Sequence, residues 1–365
     1  MTIPFATQIA RLPASTPFVG PEELERRRGA PFRLRIGANE SAFGQSPAGM
    51  EAMRAALAQS AWYADPTSHD LRQALAARLG VGAENLVVDA GIDTLLGITV
   101  RLFCDVGTPV VTSLGAYPTF NYHVNGYGAE LHTVPYKGFF EDTDALLAKA
   151  HEVGARLVYL SNPDNPMGTC HDAATVQRLI DGLPEGCLLA LDEAYIEFAP
   201  SGTAPALDTH NPNVLRFRTF SKAYGMAGQR VGYCVTHPDI IAAFEKVRNH
   251  FDLNRVAQAG ATASVNDDAF LARVNAEVEA ARQQVYAMAD RLGLYAEPSF
   301  TNFVALDVGS TERGVALLER LAERGVFMRM PGVAPLNRCV RVGLAQPGEM
   351  EEACAIIEEL VPQLP

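Results

Sequence analysis

The chain has 365 residues, 48% of them hydrophobic, so it can bury a large core and exceeds the size of one typical domain. Its formal net charge of −12 excludes the basic footprint of a nucleic-acid binder, and no apolar run is long enough to span a bilayer. The six cysteines form no C-x-x-C pair and the eight histidines no H-E-x-x-H. No metal site is therefore expected, and scattered thiols fit a reducing compartment. Met1 to Pro13 lacks a basic start followed by an apolar block, so the expected location is the cytoplasm.

Residues 1–35 read as an arm with one short helix near Pro21–Arg28. Ser46–Gln59 and Ser68–Leu79 carry apolar residues at helical spacing. Strands and helices then alternate. The expected strands are Asn85–Asp89, Pro109–Ser113, Glu130–Pro135, Arg156–Leu160, Cys187–Leu191, Val214–Phe217 and Val231–Val235. The expected helices between them are Gly91–Phe103, Thr119–Asn125, Asp142–Val153 and Ala173–Asp181. This alternation predicts an α/β unit over 36–250 with a mostly parallel sheet and helices on both faces. The apolar runs Leu157–Leu160 and Leu188–Leu191 suit strands buried on both sides. From Pro238 the pattern turns helical: Asp239–Asn249, Val256–Ser264 and Asp268–Leu292. Strands Asn302–Asp307 and Cys339–Val342 with helices Gly314–Arg324 and Gly348–Val361 predict a smaller α+β unit over 251–365.

Lys222 is the most informative residue. Only four of the 30 basic side chains are lysines: Lys137, Lys149, Lys222 and Lys246. A lysine amine can lose its proton and condense with a carbonyl, which a guanidinium cannot do. Lys222 follows a strand-like run and sits among small residues, a setting equally open to a surface lysine in a glycine-rich loop. Asp192 ends another apolar strand, where ligands collect in open α/β sheets, although a turn or cap would use the same residue. Gly91-Ile92-Asp93-Thr94 opens a helix after a strand and offers free backbone N–H groups to a phosphate. There is no G-x-G-x-x-G and no P-loop. A phosphate-bearing cofactor that needs a lysine amine and a carboxylate is pyridoxal phosphate.

The segment Ser221-Lys222-Ala223-Tyr224-Gly225-Met226-Ala227-Gly228-Gln229-Arg230-Val231-Gly232-Tyr233 resembles the lysine motif of fold-type-I pyridoxal-phosphate transferases. It is most similar to that of the histidinol-phosphate aminotransferase family, S-K-A-[YF]-G-[LM]-A-G-x-R-[IV]-G-Y. Asn39-Glu40-Ser41 is similar to the family's N-E-N-P, and Tyr63-Ala64-Asp65-Pro66 to Y-P-D-P. Asn162–Gly168 resembles N-P-N-N-P-T-G, Asp192–Tyr195 is D-E-A-Y, and Thr301–Val304 resembles A-N-F-V. The resemblance covers nearly the whole chain and implies the fold-type-I architecture.

It also implies residue roles. Lys222 would bind the cofactor aldehyde and later act as base and acid at the substrate α-carbon. Asp192 would pair with the pyridinium nitrogen, Asn165 and Tyr195 would bond the ring hydroxyl oxygen, and Tyr117 would stack on the ring. The backbone of Gly91, Ile92 and Asp93, with Thr219, Ser221 and Arg230, would hold the phosphate. Tyr63 would reach the phosphate of a neighbouring subunit, which implies a homodimer with shared sites. Arg341 would grip the substrate carboxylate, with Asn39, Arg329 and Phe18 also facing the substrate.

The chain departs from the family pattern at named places. Ile92 stands where the family has a serine, Met167 where it has a threonine, Phe18 where it has a phosphate-side tyrosine, and Met330 where it has an acid. These departures point to a more apolar and less phosphate-directed pocket. The expected activity is transfer of an amino group from a histidinol-phosphate-like, aromatic or broad-range donor to a 2-oxo acid such as 2-oxoglutarate. The alternatives are a pyridoxal-phosphate decarboxylase of the threonine-phosphate type and a cofactor-binding module without catalysis.

Overall fold

The computed structural model describes residues 3–13 and 19–365. Phe18 therefore lies outside the described residues. Among the described residues the strands are β1 (Leu34–Arg35), β2 (Leu86–Asp89), β3 (Pro109–Ser113), β4 (Glu130–Val134), β5 (Leu157–Ser161) and β6 (Leu188–Asp192). They continue with β7 (Val214–Thr219), β8 (Gly232–Val235), β9 (Tyr295–Ala296), β10 (Phe303–Asp307), β11 (Val326–Phe327) and β12 (Cys339–Gly343).

The central sheet has the order β2-β8-β7-β6-β5-β3-β4. All its pairings are parallel except those of β8, which runs antiparallel to both β2 and β7. The connection explains the reversal. Residues 220–231 hold only the 3-10 turn Ala227–Gln229, and this short link stays at the end of the sheet where β7 stops, so β8 re-enters antiparallel beside it. From β2 to β6 each connection carries a helix, as the alternating pattern requires, whereas the parallel strands β6 and β7 are joined by a longer link, 193–213, that holds only the 3-10 turn Ile196–Phe198.

The two faces of the sheet feed separate cores, and β5 and β6 show why their apolar runs carry no polar residue. Leu157, Tyr159, Leu188 and Ala190 join the core beneath the Ile92–Phe103 and Pro118–Tyr127 helices. Val158, Leu160, Leu189 and Leu191 join the core under Thr143–Val153 and Ala173–Asp181. Every position of both strands is buried. The two-residue period of a strand does the sorting.

A second sheet, β12-β10-β9, is antiparallel and packs against the helices Asp268–Leu292 and Thr311–Glu323, on which Pro347–Leu360 packs in turn. The long helix is bounded locally. Asp267 accepts from the N–H of Phe270 at 3.0 Å, and Gly293 ends it with a φ of 64°. The Arg255–Ser264 helix packs on Pro47–Leu57. The helix expected over Asp239–Asn249 stops at Phe244. The chain then tightens into turns, Lys246 N–H to Ala243 and Val247 N–H to Phe244, and Arg248 reaches across to the carbonyl of Pro66 at 2.6 Å. Strand β1 pairs with β11, tying the N-terminal segment to the C-terminal one. No helix among the described residues is long and apolar enough to cross a membrane.

One close approach positions the future site. A Cβ at Gly232 would lie 2.6 Å from the nitrogen of Ile92 and 2.7 Å from the carbonyl carbon of Gly91. Only glycine lets β8 run directly under the start of the Ile92–Phe103 helix. Gly232→Ala should therefore destabilise the cofactor-free protein by about 1–3 kcal/mol in urea denaturation. An unchanged midpoint would show that the helix start yields freely.

Candidate active site

The strand ends converge. β5 leads to Asn165, β6 ends at Asp192, β7 leads to Thr219, Ser221 and Lys222, and β2 leads to Gly91-Ile92-Asp93. They surround a cavity of about 750 Å³ whose wall includes Asn39, Tyr117, Asn165, Asp192, Lys222 and Arg341. This is the crevice that an open α/β sheet makes at the carboxyl ends of its strands.

Lys222 lies partly buried in the cavity wall. Its Nζ donates to the carbonyl of Asn39 at 3.0 Å and stands 5.5 Å from the ring centre of Tyr195. No carboxylate forms an ion pair with it among the described residues. Burial, and then the charge of Arg341, pull its amine down to about 8. A lysine in this state has a substantial neutral fraction near physiological pH.

Asp192 is buried at the other side of the cavity floor. Its Oδ2 accepts from the Tyr159 hydroxyl at 2.8 Å and its Oδ1 from the Ala194 N–H at 2.9 Å. Burial pushes its carboxyl up to about 6 in spite of those two donors. A cationic group bound in the cavity would complete such an acid. Tyr195 accepts from Asn39 Nδ2 at 3.1 Å, and burial raises its hydroxyl well above the ordinary tyrosine value. Asn165 Oδ1 accepts from Arg341 Nη1 at 2.5 Å, and the guanidinium lies over the Phe303 ring. The Nε of Arg341 is buried without a hydrogen-bond partner.

The residues expected at a phosphate also come together. The Ile92–Phe103 helix has no side-chain cap, so its first N–H groups stay open. Gly91 precedes it with a φ of 89°, and a Cβ there would lie 2.4 Å from Arg230 Nη2. Arg230 adopts the left-handed region at a φ of 56° and stands 3.4 Å from Ser221 Oγ and 3.9 Å from Asp93 Oδ2. Thr219 Oγ1 accepts from the Ser221 N–H at 3.0 Å. Tyr117 donates to Asp93 Oδ1 at 2.9 Å. A helix N-terminus, two hydroxyls and a guanidinium together form an anion cradle that fits a phosphate. Lysine, carboxylate and cradle all open on one cavity, so the residues present fit pyridoxal phosphate.

Arg329 also lines the cavity; its Nη2 donates to the carbonyl of Val19 at 2.6 Å and its guanidinium lies over Phe327. Tyr63 stands apart from this cavity. It is 78% exposed and packs on Phe251 with ring centres 4.6 Å apart.

Sequence reasoning missed Tyr159, which touches Asp192 directly. The signal lay in the strand period: β5 and β6 pair Tyr159 with Ala190 and Ser161 with Asp192, so Tyr159 and Asp192 share a face two positions apart. Glu193, the next residue, faces the other way and is held by Arg216 at 2.5 Å and Arg218 at 2.8 Å.

Comparison with known proteins gives a concordant result. The sequence model of the family described as aminotransferase class I and II matches residues 33–357. The chain is 34% identical over 343 residues to histidinol-phosphate aminotransferase 1 of Nitrosococcus oceani, covering 93% of this chain and 92% of that protein. It is 35% identical over 345 residues to the histidinol-phosphate aminotransferase of Anaeromyxobacter sp., covering 93% and 94%. The crystal structure of histidinol-phosphate aminotransferase from Sinorhizobium meliloti in complex with pyridoxal-5′-phosphate is 47% identical, with a TM-score of 0.94 and 98% of each chain covered.

Tyr159→Phe removes one of two donors to a buried carboxylate, a bond worth about 1.5–3 kcal/mol to a charged acceptor. The Asp192 midpoint should rise by about one pH unit or more in the cofactor-free protein, followed by carboxyl-carbon NMR. An unmoved midpoint would show that Tyr159 does not stabilise the ionised acid.

Proposed function

The chain belongs to the class I and II aminotransferases, which work with pyridoxal phosphate, and on that premise we propose the following roles for its residues. When bound, the cofactor supplies an aldehyde that captures an amine and a protonated ring that accepts the electron pair left by the departing α-proton. Lys222 would hold the aldehyde end of the cofactor. Freed, its neutral amine removes the proton from the donor α-carbon and returns it on the other side of the transfer. The observation that carries this reading is a lysine amine brought down to about 8, with no carboxylate neutralising it, in the same cavity as buried Asp192.

Asp192 holds the ring nitrogen in its protonated form, and Tyr159 and Ala194 fix the carboxylate for that task. Tyr195 and Asn165 stand where they can bond the ring hydroxyl, and Tyr117 covers the ring. Thr219, Ser221, Arg230 and the backbone at Gly91-Ile92-Asp93 bind the phosphate. Arg341 offers the Nη and Nε edges of a guanidinium to the substrate anion, and its unpaired Nε supports that role. Asn39 orders Tyr195 and Lys222 through its amide and its carbonyl.

The donor we propose is histidinol phosphate, with 2-oxoglutarate as acceptor, because the named relatives match over nearly the full chain. The apolar wall of Leu114, Met330, Pro331 and Val333 favours a second reading, an aromatic amino acid as donor. We assign 36–250 to a cofactor-binding domain, 251–365 to a smaller domain and 1–35 to an arm, in a cytoplasmic homodimer. Trp62, Tyr63 and Phe251 present exposed aromatic surface on one side of the molecule, which supports a dimer in which Tyr63 serves the neighbouring site.

Lys222→Ala should reduce steady-state turnover by at least about 10³-fold while the variant still binds cofactor. Near-normal turnover would remove Lys222 from the mechanism. In the wild type, histidinol phosphate should convert the visible band of the bound cofactor, and 2-oxoglutarate should restore it. Conversion by phenylalanine or tyrosine but not by histidinol phosphate would select the second reading.

A further inference from the structure

Behind the cavity floor lie two further buried acids, Glu141 and Asp164. Asp164 occupies the third position of Asn162–Gly168, where the N-P-N-N-P-T-G pattern has an amide. Its Oδ1 accepts from the Tyr136 hydroxyl at 2.9 Å and its Oδ2 from the Met167 N–H at 2.8 Å. Both oxygens are thus served by donors, which suits an ionised carboxylate. Glu141 differs. Its Oε1 accepts from the Ser161 N–H at 2.9 Å, while its Oε2 is buried with no hydrogen-bond partner, near the Ser113 hydroxyl. An ionised carboxylate with a bare buried oxygen is costly, so Glu141 is the acid that keeps a proton.

Among the described residues the basic group that acts on the charge of Asp164 is Arg341, whose Nη1 donates to Oδ1 of the adjacent Asn165 at 2.5 Å. The other titratable groups around the two acids include Tyr136, Tyr159, Tyr195, Cys170, Asp192 and the His171 ring, which bonds the Glu141 carbonyl. None of these adds a positive charge beside Asp164: the His171 ring is held neutral by burial. We propose that Asp164 is a specificity-determining residue: its carboxylate is the resident counter-charge of Arg341 and weakens the hold of that guanidinium on the anionic end of a substrate. The proposal rests on the reading of Arg341 as the group that binds this anion.

Asp164→Asn keeps the shape. The new Oδ1 still accepts from Met167 and the new amide faces Tyr136 Oη. The test uses the cofactor-loaded enzyme and glutarate, a non-reacting dicarboxylate, with affinity measured by calorimetry from pH 6.5 to 8.5. Burial pushes Asp164 up to about 7, so the wild type should bind glutarate more weakly as pH rises across this window. Asp164→Asn should bind about five- to tenfold more tightly at pH 8.5, with a flatter pH profile. Glu141→Gln should leave both affinity and profile unchanged. Equal affinity and equal slope in wild type and Asp164→Asn would overturn the proposal, as would an Asp164→Asn-like gain in Glu141→Gln.

Arg341→Ala separates the two layers of inference. If it binds glutarate as well as the wild type, the reading of Arg341 falls and the proposal with it. If it loses binding while Asp164→Asn changes nothing, the proposal alone falls. Melting of the cofactor-free protein gives a readout independent of substrate. The folded-state value for Asp164 lies above the unfolded one of about 3.9, so its charge costs stability increasingly as pH rises toward and through 7. Asp164→Asn should therefore melt higher than the wild type at pH 8 and lose that advantage toward pH 5; an advantage that does not change with pH would count against a buried charge on Asp164.

Discussion

The stretch Ile36–Gly44 is the seam on which the site depends. The carbonyl of Asn39 accepts from Lys222 Nζ at 3.0 Å and from Asn302 Nδ2 at 3.1 Å, so one backbone oxygen joins the loop after β7 to the residue that precedes β10. The carbonyl of Ile36 accepts from the Gly343 N–H at 3.0 Å, at the end of β12. This threading leaves no room for side chains. A Cβ at Gly343 would lie 2.1 Å from the Ile36 oxygen, and one at Gly225 would lie 1.9 Å from the Gly44 oxygen. Asn39 itself adopts a φ of 55°, which an ordinary residue avoids. Its amide on Tyr195 and its carbonyl between two donors hold that backbone conformation.

Pairing separates the structural charges from the working ones. Glu193 is as buried as Asp192, yet Arg218 and Arg216 overcome the effect of its burial and leave it below the ordinary carboxylate value. That network links β6 and β7 and has nothing left to offer a ligand. Asp192 receives only neutral donors, and burial dominates. Among the described residues Lys222 donates to a carbonyl and Arg341 to an amide oxygen, and no carboxylate touches either directly. Charges left without a direct ion pair around one cavity cost folding energy, and a charged ligand would offset that cost.

The sequence pattern made the large elements legible because they are long enough to show a period. β3 and the Ala173–Asp181 helix fall where expected, and the glycine-rich stretch after β7 holds the lysine. Two-residue strands such as β1, β9 and β11 show no period at all; tertiary pairing alone defines them. The segment after Phe244 kept helical spacing in its apolar residues, but Arg248 is drawn to the carbonyl of Pro66, a contact 182 positions away that no local pattern encodes. Motif order pointed to residues that the fold brings to the cavity wall, and such order names identities without fixing contacts. Tyr159 and Asp164 escaped for that reason. Tyr159 looks like one more apolar strand residue until the register of β5 on β6 sets it against Asp192. Asp164 looks like a turn residue until its loop folds back beside Arg341.

The reversal of β8 accounts for the phosphate cradle. A crossover connection after β7 would have carried the chain to the far edge of the sheet before the next parallel strand began. The short link instead leaves and re-enters at the same edge. Lys222 and Arg230 are therefore both held at the carboxyl ends of β5, β6 and β7, although β8 itself runs the other way. Arg230 uses the left-handed region to turn into β8, and Gly232, two residues later, passes beneath the open start of the Ile92–Phe103 helix. Lysine, guanidinium and helix N-terminus meet because one strand runs backwards. A parallel β8 joined through a crossover would remove Arg230 from the cradle without changing the identity of a single residue.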